Sequence, residues 1–338
     1  MKANNPATLS RALHGFFMDY LPQQRAMSPH TIQSYRDSVK LLLQFVAGKN
    51  GDPCYLTTEM LTVERITAFL HHLETGRHNQ AATRNVRLSA IHSFFRYLAR
   101  ENPECMRQAQ CVLSIPFKRA NVREIQHLDF TEIHAVMASI DRAQGNGLRD
   151  RALLSLMFNT GARVSEVVGL QAPDLRLAPP PSILLRGKGR KERTCPLWPE
   201  TAGLLRQLME QQGIQLSQPV AIFLNHRGVP LSRFGVRIIL QKYVRKASEK
   251  LPGLKRKRLH PHSLRHSAAV HLLRSGVDIS TIAHWLGHAS LNTTNRYLSI
   301  DLEAKREAIE KAQPLLTGNG KQQRWRKKAD LIAWLESL

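Results

Sequence analysis

Between His262 and Tyr297 the chain reads HSLRHSAAVHLLRSGVDISTIAHWLGHASLNTTNRY. This stretch brings together His262, Arg265, His288 and Tyr297, side-chain types that can attack a phosphate without a metal. A phenol can be the nucleophile, but with a pKa of about 10 it is weak at neutral pH unless a base and a cationic pocket assist it. A guanidinium offers a planar fork of donors that fits phosphate oxygens. An imidazole can move protons near neutral pH. His262 and Arg265 are three residues apart, so on a helix they share a face and can touch one phosphate.

Residues far upstream can complete such a site. Arg163 follows Gly161, where one helix stops, and Glu166 lies three residues on, placed to hold the guanidinium. Lys188 sits at the tip of a glycine-flanked turn, GKGRKER, from which an ammonium can reach a leaving oxygen. Lys191 and Arg193, just beyond it, fit contacts to backbone phosphates. Each feature alone has a plainer use. Arg163 and Glu166 can form an i,i+3 ion pair of little worth, Lys188 can be a solvated turn lysine, and His262 can cap a helix. Of the six tyrosines, only Tyr297 follows closely on such a histidine. Tyr20, Tyr35, Tyr97 and Tyr243 fall on helices where a core role is more natural.

The elements that must position these groups fall into two domains. Residues 8–21 read as an amphipathic helix. Ser28-Pro29 opens a second, with Ser at the N-cap and Pro at the first helical position. Helices over 63–74 and from Thr83 complete a small all-α domain spanning 1–112, with Arg84 and Arg87 on its exposed side and available to DNA. Residues 113–128 read as a linker. Pro116 breaks helix there, and Lys118 and Arg119 suit a phosphate backbone. A domain over 129–316 follows, mostly helical with a small antiparallel sheet whose hairpin is SILLRGKGRKERTCPLW. Lys255, Arg256, Lys257 and Arg258 form an exposed basic run. The helix before His288 ends at Gly287. Residues 317–338 form a basic, amphipathic tail with Leu331, Trp334, Leu335 and Leu338 on one face.

Composition narrows the partner. The 338 residues carry 49 Lys and Arg against 26 Asp and Glu, a formal net charge of +23. Such an excess repels itself and points to a polyanion, with nucleic acid ahead of a membrane surface. No stretch of roughly 20 apolar residues reads as a membrane span. Cys54, Cys105, Cys111 and Cys195 lack metal or disulfide spacing and read as reduced thiols, the usage of a cytoplasmic protein. His262, His266 and His271 raise a metal question, but neither an H-E-x-x-H box nor a cysteine cluster accompanies them, so no metal is expected. No Walker-type phosphate loop is present, so no nucleotide cofactor is expected either.

The order Arg163, Lys188, His262-x-x-Arg265, His288, Tyr297, set in TGARVSE, GKG, HPHSLRH and LGHASLNTTNRY, resembles the tyrosine recombinase (phage integrase) family. The resemblance covers residues from about 8 to about 312. It implies a helical SAM-like core-binding domain and a catalytic domain that together clamp duplex DNA. Tyr297 would attack the scissile phosphate and form a 3′-phosphotyrosine with a free 5′-OH. Arg163 and Arg265 would hold the non-bridging oxygens, Lys188 would protonate the departing oxygen, and His262 would accept the tyrosine proton. His288 would add a hydrogen bond and Glu166 would support the site. Strand exchange through a Holliday junction would need two duplexes and a homotetramer, with accessory proteins as further partners. The stretch 302–316 resembles the helix that family members dock on a neighbour. The longer tail favours a mobile-element integrase, acting at the nucleoid. A silent DNA-binding protein of the same fold and a type IB topoisomerase are the alternatives. The filled set of catalytic positions speaks against the first, and the H-x-x-R box against the second.

Overall fold

The computed structural model describes residues 7–120, 126–187 and 191–287, together with Thr294 and Tyr297. The chain divides into two compact units, Met1–Glu124 and Ile125–Leu338.

The first unit is helical. Helix α1 (Ala7–Gly15) continues as a wider π-helical stretch, Phe16–Gln24. Then come α2 (Pro29–Ala47), α3 (Val63–Thr75), α4 (Ala81–Glu101) and α5 (Met106–Leu113). Ser28 caps α2 as its sequence suggests, its hydroxyl accepting the Thr31 N–H at 3.3 Å. The core gathers Phe16, Leu42, Ile66, Phe69, Phe94 and Phe95, and it reaches on to Val112 and Ile115. Arg84, expected on the exposed face, is buried instead. The helical period explains this: residues 84, 88, 91, 95 and 98 share a stripe, and the last four are the core residues Leu88, Ile91, Phe95 and Leu98. The Arg84 guanidinium donates to the Pro116 carbonyl at 3.0 Å and to Asn85 at 3.2 Å.

The second unit wraps around α7 (Gly147–Thr160), whose Leu153, Leu154, Leu156 and Met157 are all fully buried. Before it, α6 (Phe130–Ala138) starts with a capping box: Asp129 accepts the Glu132 N–H and Glu132 accepts the Asp129 N–H. After it come the short α8 (Val164–Val168) and a three-stranded antiparallel sheet in the order β1 (Leu175–Arg176), β2 (Ser182–Arg186), β3 (Glu192–Pro196). Ile183 pairs with Cys195 and Arg186 with Glu192, so the expected hairpin is present. Helices α9 (Pro199–Gln212), α10 (Arg233–Ala247), α11 (Pro261–Arg274) and α12 (Ile279–Leu286) complete the unit. A buried network ties α7 to α10: Arg149 grips Asp150 at 2.6 Å, and the Tyr243 hydroxyl donates to the same carboxylate at 2.9 Å. Among the described residues, no helix is long and apolar enough to cross a membrane.

Two glycines in left-handed conformation end the helices that matter most. Gly161 (φ +58°) closes α7 and Gly287 (φ +63°) closes α12. A Cβ on Gly161 would lie 2.4 Å from Leu286 Cδ2. Gly161→Ala should therefore cost about 1–3 kcal/mol through overpacking and positive φ. Gly203→Ala is the control, because nothing lies within 4 Å of the added carbon inside α9; it should gain about 0.4–1 kcal/mol. Urea unfolding of both variants checks the contrast.

Candidate active site

A helix ends with carbonyls that have no partner inside it and with the negative end of its dipole. Here three arginines take in turn the last two carbonyls of α12 and that of Gly287, which closes it. Arg193 Nε donates to the Trp285 carbonyl at 2.9 Å, Arg265 Nη2 to Leu286 at 2.6 Å, and Arg163 Nη2 to Gly287 at 3.2 Å. They arrive from β3, α11 and the start of α8. One buried carboxylate links two of them. Glu166 accepts from the Arg163 backbone N–H and Nη1, each at 2.9 Å, and from both terminal nitrogens of Arg193 at 3.1 and 2.8 Å.

Burial pushes the Glu166 carboxyl up, but the bonds from Arg193 and then from Arg163 outweigh it and hold the group below the usual range. Burial likewise works against the Arg193 charge, and Glu166 outweighs it. Arg265 has no such partner. Only 1% of it is exposed, and burial, then Arg163 and Arg193, bring its pKa down to about 10. It stays cationic at neutral pH. Its Nη1 donates to the Gly161 carbonyl at 2.7 Å, while Nε is buried with no hydrogen-bond partner among the described residues. Three guanidiniums around one carboxylate make a pocket short of negative charge.

His262 stands in the first turn of α11. Desolvation where its ring meets the protein, then Arg265, His260 and Arg163, hold it below the ordinary histidine range. The residue keeps an exposed edge, where water screens those charges. Its ring meets that of His266 edge to face, 4.6 Å between centroids. Tyr297 is 2% exposed and packs with Ala269, Val270, Ile282 and Leu286. The Tyr297 hydroxyl lies 2.8 Å from His266 Nδ1.

Lys188 and His288 lie outside the described residues, as do the helix expected over 302–316 and the tail 317–338. Gly187, next to Lys188, comes close to the site: a Cβ there would be 3.2 Å from Glu166 Oε1. Two further basic residues expected at DNA turn inward. Arg193 is one, because Glu166 and the Trp285 carbonyl offer it a buried anionic seat. Lys257 is the other, bonded to Glu132 at 2.5 Å and to the His127 carbonyl at 3.0 Å. Lys191, Lys255, Arg256 and Arg258 are exposed, as are Lys118 and Arg119 in the first unit. Lys118 pairs with Glu74 at 2.7 Å. Arg87 is half-buried and lines a cavity of about 370 Å³ with His30, Asp37 and Thr83. Among the described residues no three His, Cys, Asp or Glu side chains gather as metal ligands. His271 instead stacks on Phe130 and borders Phe158 and Trp198. Sequence reasoning missed two residues, Arg193 as part of the site and His266 as the partner of Tyr297. Both stood beside singled-out positions, in GKGRKER and HSLRH.

Comparison with known proteins covers both units. The profile of the Phage integrase family matches residues 126–303, and that of the phage integrase N-terminal SAM-like domain matches residues 16–102. A putative integrase/recombinase, y4rC of Sinorhizobium fredii, is 41% identical over 98% of this chain and 99% of its own length. Tyrosine recombinase XerC of Pelobacter propionicus is 31% identical over 88% of this chain and 94% of its own. Among solved structures, XerH bound to its palindromic difH substrate in a post-cleavage complex aligns with a TM-score of 0.69. The alignment covers 86% of this chain and 82% of that one at 23% identity. A lambda integrase dimer bound to a core site aligns at 0.63, covering 85% and 94% at 20% identity. Both share the fold described above.

Two outcomes test the electrostatics. Arg193→Ala leaves Glu166 half-paired in a buried place and should cost about 3–5 kcal/mol, read by urea unfolding. A depressed carboxyl stabilises the fold above its unfolded value, near 4.5, and loses that contribution as pH falls through the lower folded value. Acid unfolding between those values should therefore be shallower in Glu166→Gln than in the parent chain.

Proposed function

The chain belongs to the phage integrase family of tyrosine recombinases, and on that premise we propose that it cuts and rejoins duplex DNA at a specific site through a phosphotyrosine linked to Tyr297. The observation that carries this reading is the charge-deficient pocket of Arg163 and Arg265 beside a buried tyrosine. Arg265 lies near enough to feel both Arg163 and Tyr297 electrostatically. Its Nε, without a hydrogen-bond partner among the described residues, and the Arg163 guanidinium, a third exposed, suit the non-bridging oxygens of a phosphodiester whose charge grows in the transition state.

The bookkeeping of the reaction is simple. The Tyr297 oxygen bonds to phosphorus as the bond to the 5′ oxygen breaks, and that oxygen leaves with a proton from Lys188. The close approach of Gly187 to Glu166 favours Lys188 in this role. By family likeness, His262 would accept the tyrosine proton and His288 would add a hydrogen bond to the same phosphate. The bond energy is kept in the phosphotyrosine, so attack by a new 5′-OH rejoins the strands without a nucleotide cofactor. Exchange through a Holliday junction requires two duplexes and, by family likeness, four copies of this chain. The exposed cations Lys191, Lys255, Arg256 and Arg258, with Lys118 and Arg119 of the first unit, then meet backbone phosphates. Likeness to y4rC along nearly the whole chain favours an integrase of a mobile element over a housekeeping role.

The test is a nicked suicide duplex carrying a site selected by binding from a random-sequence library. The parent chain should form a covalent adduct that resists denaturant, and Tyr297→Phe should form none. An adduct that survives Tyr297→Phe removes Tyr297 from its role. Arg265→Ala should retain site binding while the adduct rate falls by about 100-fold or more, the scale of losing one donor aimed at developing charge.

A further inference from the structure

We propose that Arg193 is a positioning residue for the reaction: it holds Glu166 and the end of α12 so that Arg163 keeps the orientation in which it meets the scissile phosphate. The proposal rests on Arg163 being a ligand of that phosphate. Its own ground is the way two guanidiniums share one buried carboxylate.

The sharing is the first argument. Each Glu166 oxygen takes one bond from each arginine. Oε1 accepts from Arg163 Nη1 at 2.9 Å and from Arg193 Nη1 at 3.1 Å. Oε2 accepts from the Arg163 backbone N–H at 2.9 Å and from Arg193 Nη2 at 2.8 Å. Arg193 therefore grips the carboxylate as a two-pronged fork, the strong geometry for this pair. The Arg163 side chain holds it by one nitrogen only. The Glu166 side chain is 2% exposed, so water offers it no substitute partner. Without Arg193, a single guanidinium would be left to satisfy that carboxylate. Arg163, a third exposed, has room to turn onto both oxygens itself. Such a turn would draw its Nη2 away from the Gly287 carbonyl and tilt the whole fork.

The place of Arg193 in the fold is the second. Alternate side chains of a strand face the same way, so Arg193 and Cys195 leave β3 together. Both reach the Trp285 carbonyl, Arg193 Nε at 2.9 Å and Cys195 Sγ at 3.6 Å. The Arg193 side chain also lies against Gly287, where a Cβ would be 3.2 Å from its Cδ and its Nη1. One side chain thus fixes both anchors of the Arg163 guanidinium, Glu166 on one side and the end of α12 on the other. Arg193 itself bonds to the protein through all three of its nitrogens. It forms an ion pair with Glu166, so it contributes rigidity to the pocket rather than another donor for the phosphate.

The nicked suicide duplex tests this on the full chain, with Arg193→Lys, Arg163→Ala and the double variant. Each is assayed at a temperature where urea unfolding shows it folded. A lysine keeps the charge but lacks the planar fork, so it cannot span both Glu166 oxygens and the Trp285 carbonyl at once. Displacing a reacting group by about 1 Å can cost about 100-fold in rate. Arg193→Lys should accordingly form adduct about 10- to 100-fold more slowly than the parent and lose far less affinity for the selected site. In the Arg163→Ala background the same change should cost less than about 2-fold, because the group it positions is gone. Losses that multiply in the double variant are what a merely structural residue would give, and they overturn the proposal. An Arg193→Lys chain that forms adduct at the parent rate overturns it too. Arg193→Gln, which keeps a donor without the charge, replaces the lysine variant if that one does not fold, with the same outcomes. A parent chain that forms no adduct defeats the reading of the site, and this proposal with it. An adduct lost in Tyr297→Phe, beside losses that multiply, defeats only the role of Arg193.

Discussion

Three guanidiniums meet three successive carbonyls at the end of one short helix, and among the described residues a single carboxylate, Glu166, bonds to them. The rest of the catalytic unit follows from that arrangement. Buried cations in close range repel strongly, and low dielectric makes the repulsion worse. Glu166 neutralises part of it through four hydrogen bonds, and the carbonyls at the negative end of α12 take up more. What remains is positive charge fixed in place before any ligand arrives. On the proposed reading, a phosphodiester would supply the missing anion. Its transition state, which carries more charge on the same oxygens, would supply it better, and donors fixed beforehand need no rearrangement to respond.

Holding the cations there takes five separate elements, α7, α8, β3, α11 and α12, and the glycines explain how they come so close. Gly161 turns α7 off sharply, so that its carbonyl faces Arg265 and its Cα sits against Leu286. Gly287 ends α12 with its carbonyl toward Arg163, and a Cβ there would press on the Arg193 side chain at 3.2 Å. Both turns therefore serve packing and hydrogen bonding at once. A side chain at either place would separate the guanidiniums from the carbonyls that hold them. Stability and chemistry share the same contacts in this unit, so a loss of one is expected to appear in the other.

Much of this was legible in the sequence, and the failures share a cause. The order of Arg163, Lys188, His262-x-x-Arg265, His288 and Tyr297 within their boxes pointed to the family, and the helices, the hairpin and the two glycine stops follow ordinary propensities. What sequence did not give was the direction of individual cations. Arg84, Arg193 and Lys257 were read as DNA contacts because basic residues in a basic protein usually face outward. Each instead finds an acceptor within the protein: Pro116 for Arg84, Glu166 and Trp285 for Arg193, Glu132 and His127 for Lys257. For Arg84 the helical period held the answer, since it falls in the Leu88–Leu98 stripe. For the other two the partner lies across the fold, and no local pattern announces it. His266 escaped for a different reason, having been weighed as a metal ligand and not as a neighbour of Tyr297.

The inward cations change how the charge of +23 should be understood. Affinity for DNA and its loss with salt follow the number of phosphates neutralised, not the formal charge of the chain. Arg84, Arg149, Arg193 and Lys257 spend their charge inside the protein on carboxylates and carbonyls. Arg163 and Arg265 are held by Glu166 and by the carbonyls of Gly161, Leu286 and Gly287. The positions left to follow the DNA backbone are the exposed ones, Lys118, Arg119, Lys191, Lys255, Arg256 and Arg258 among them. The formal charge of the composition is therefore larger than the charge available at the surface. The excess charge that composition records is divided between holding DNA and building the pocket that acts on it.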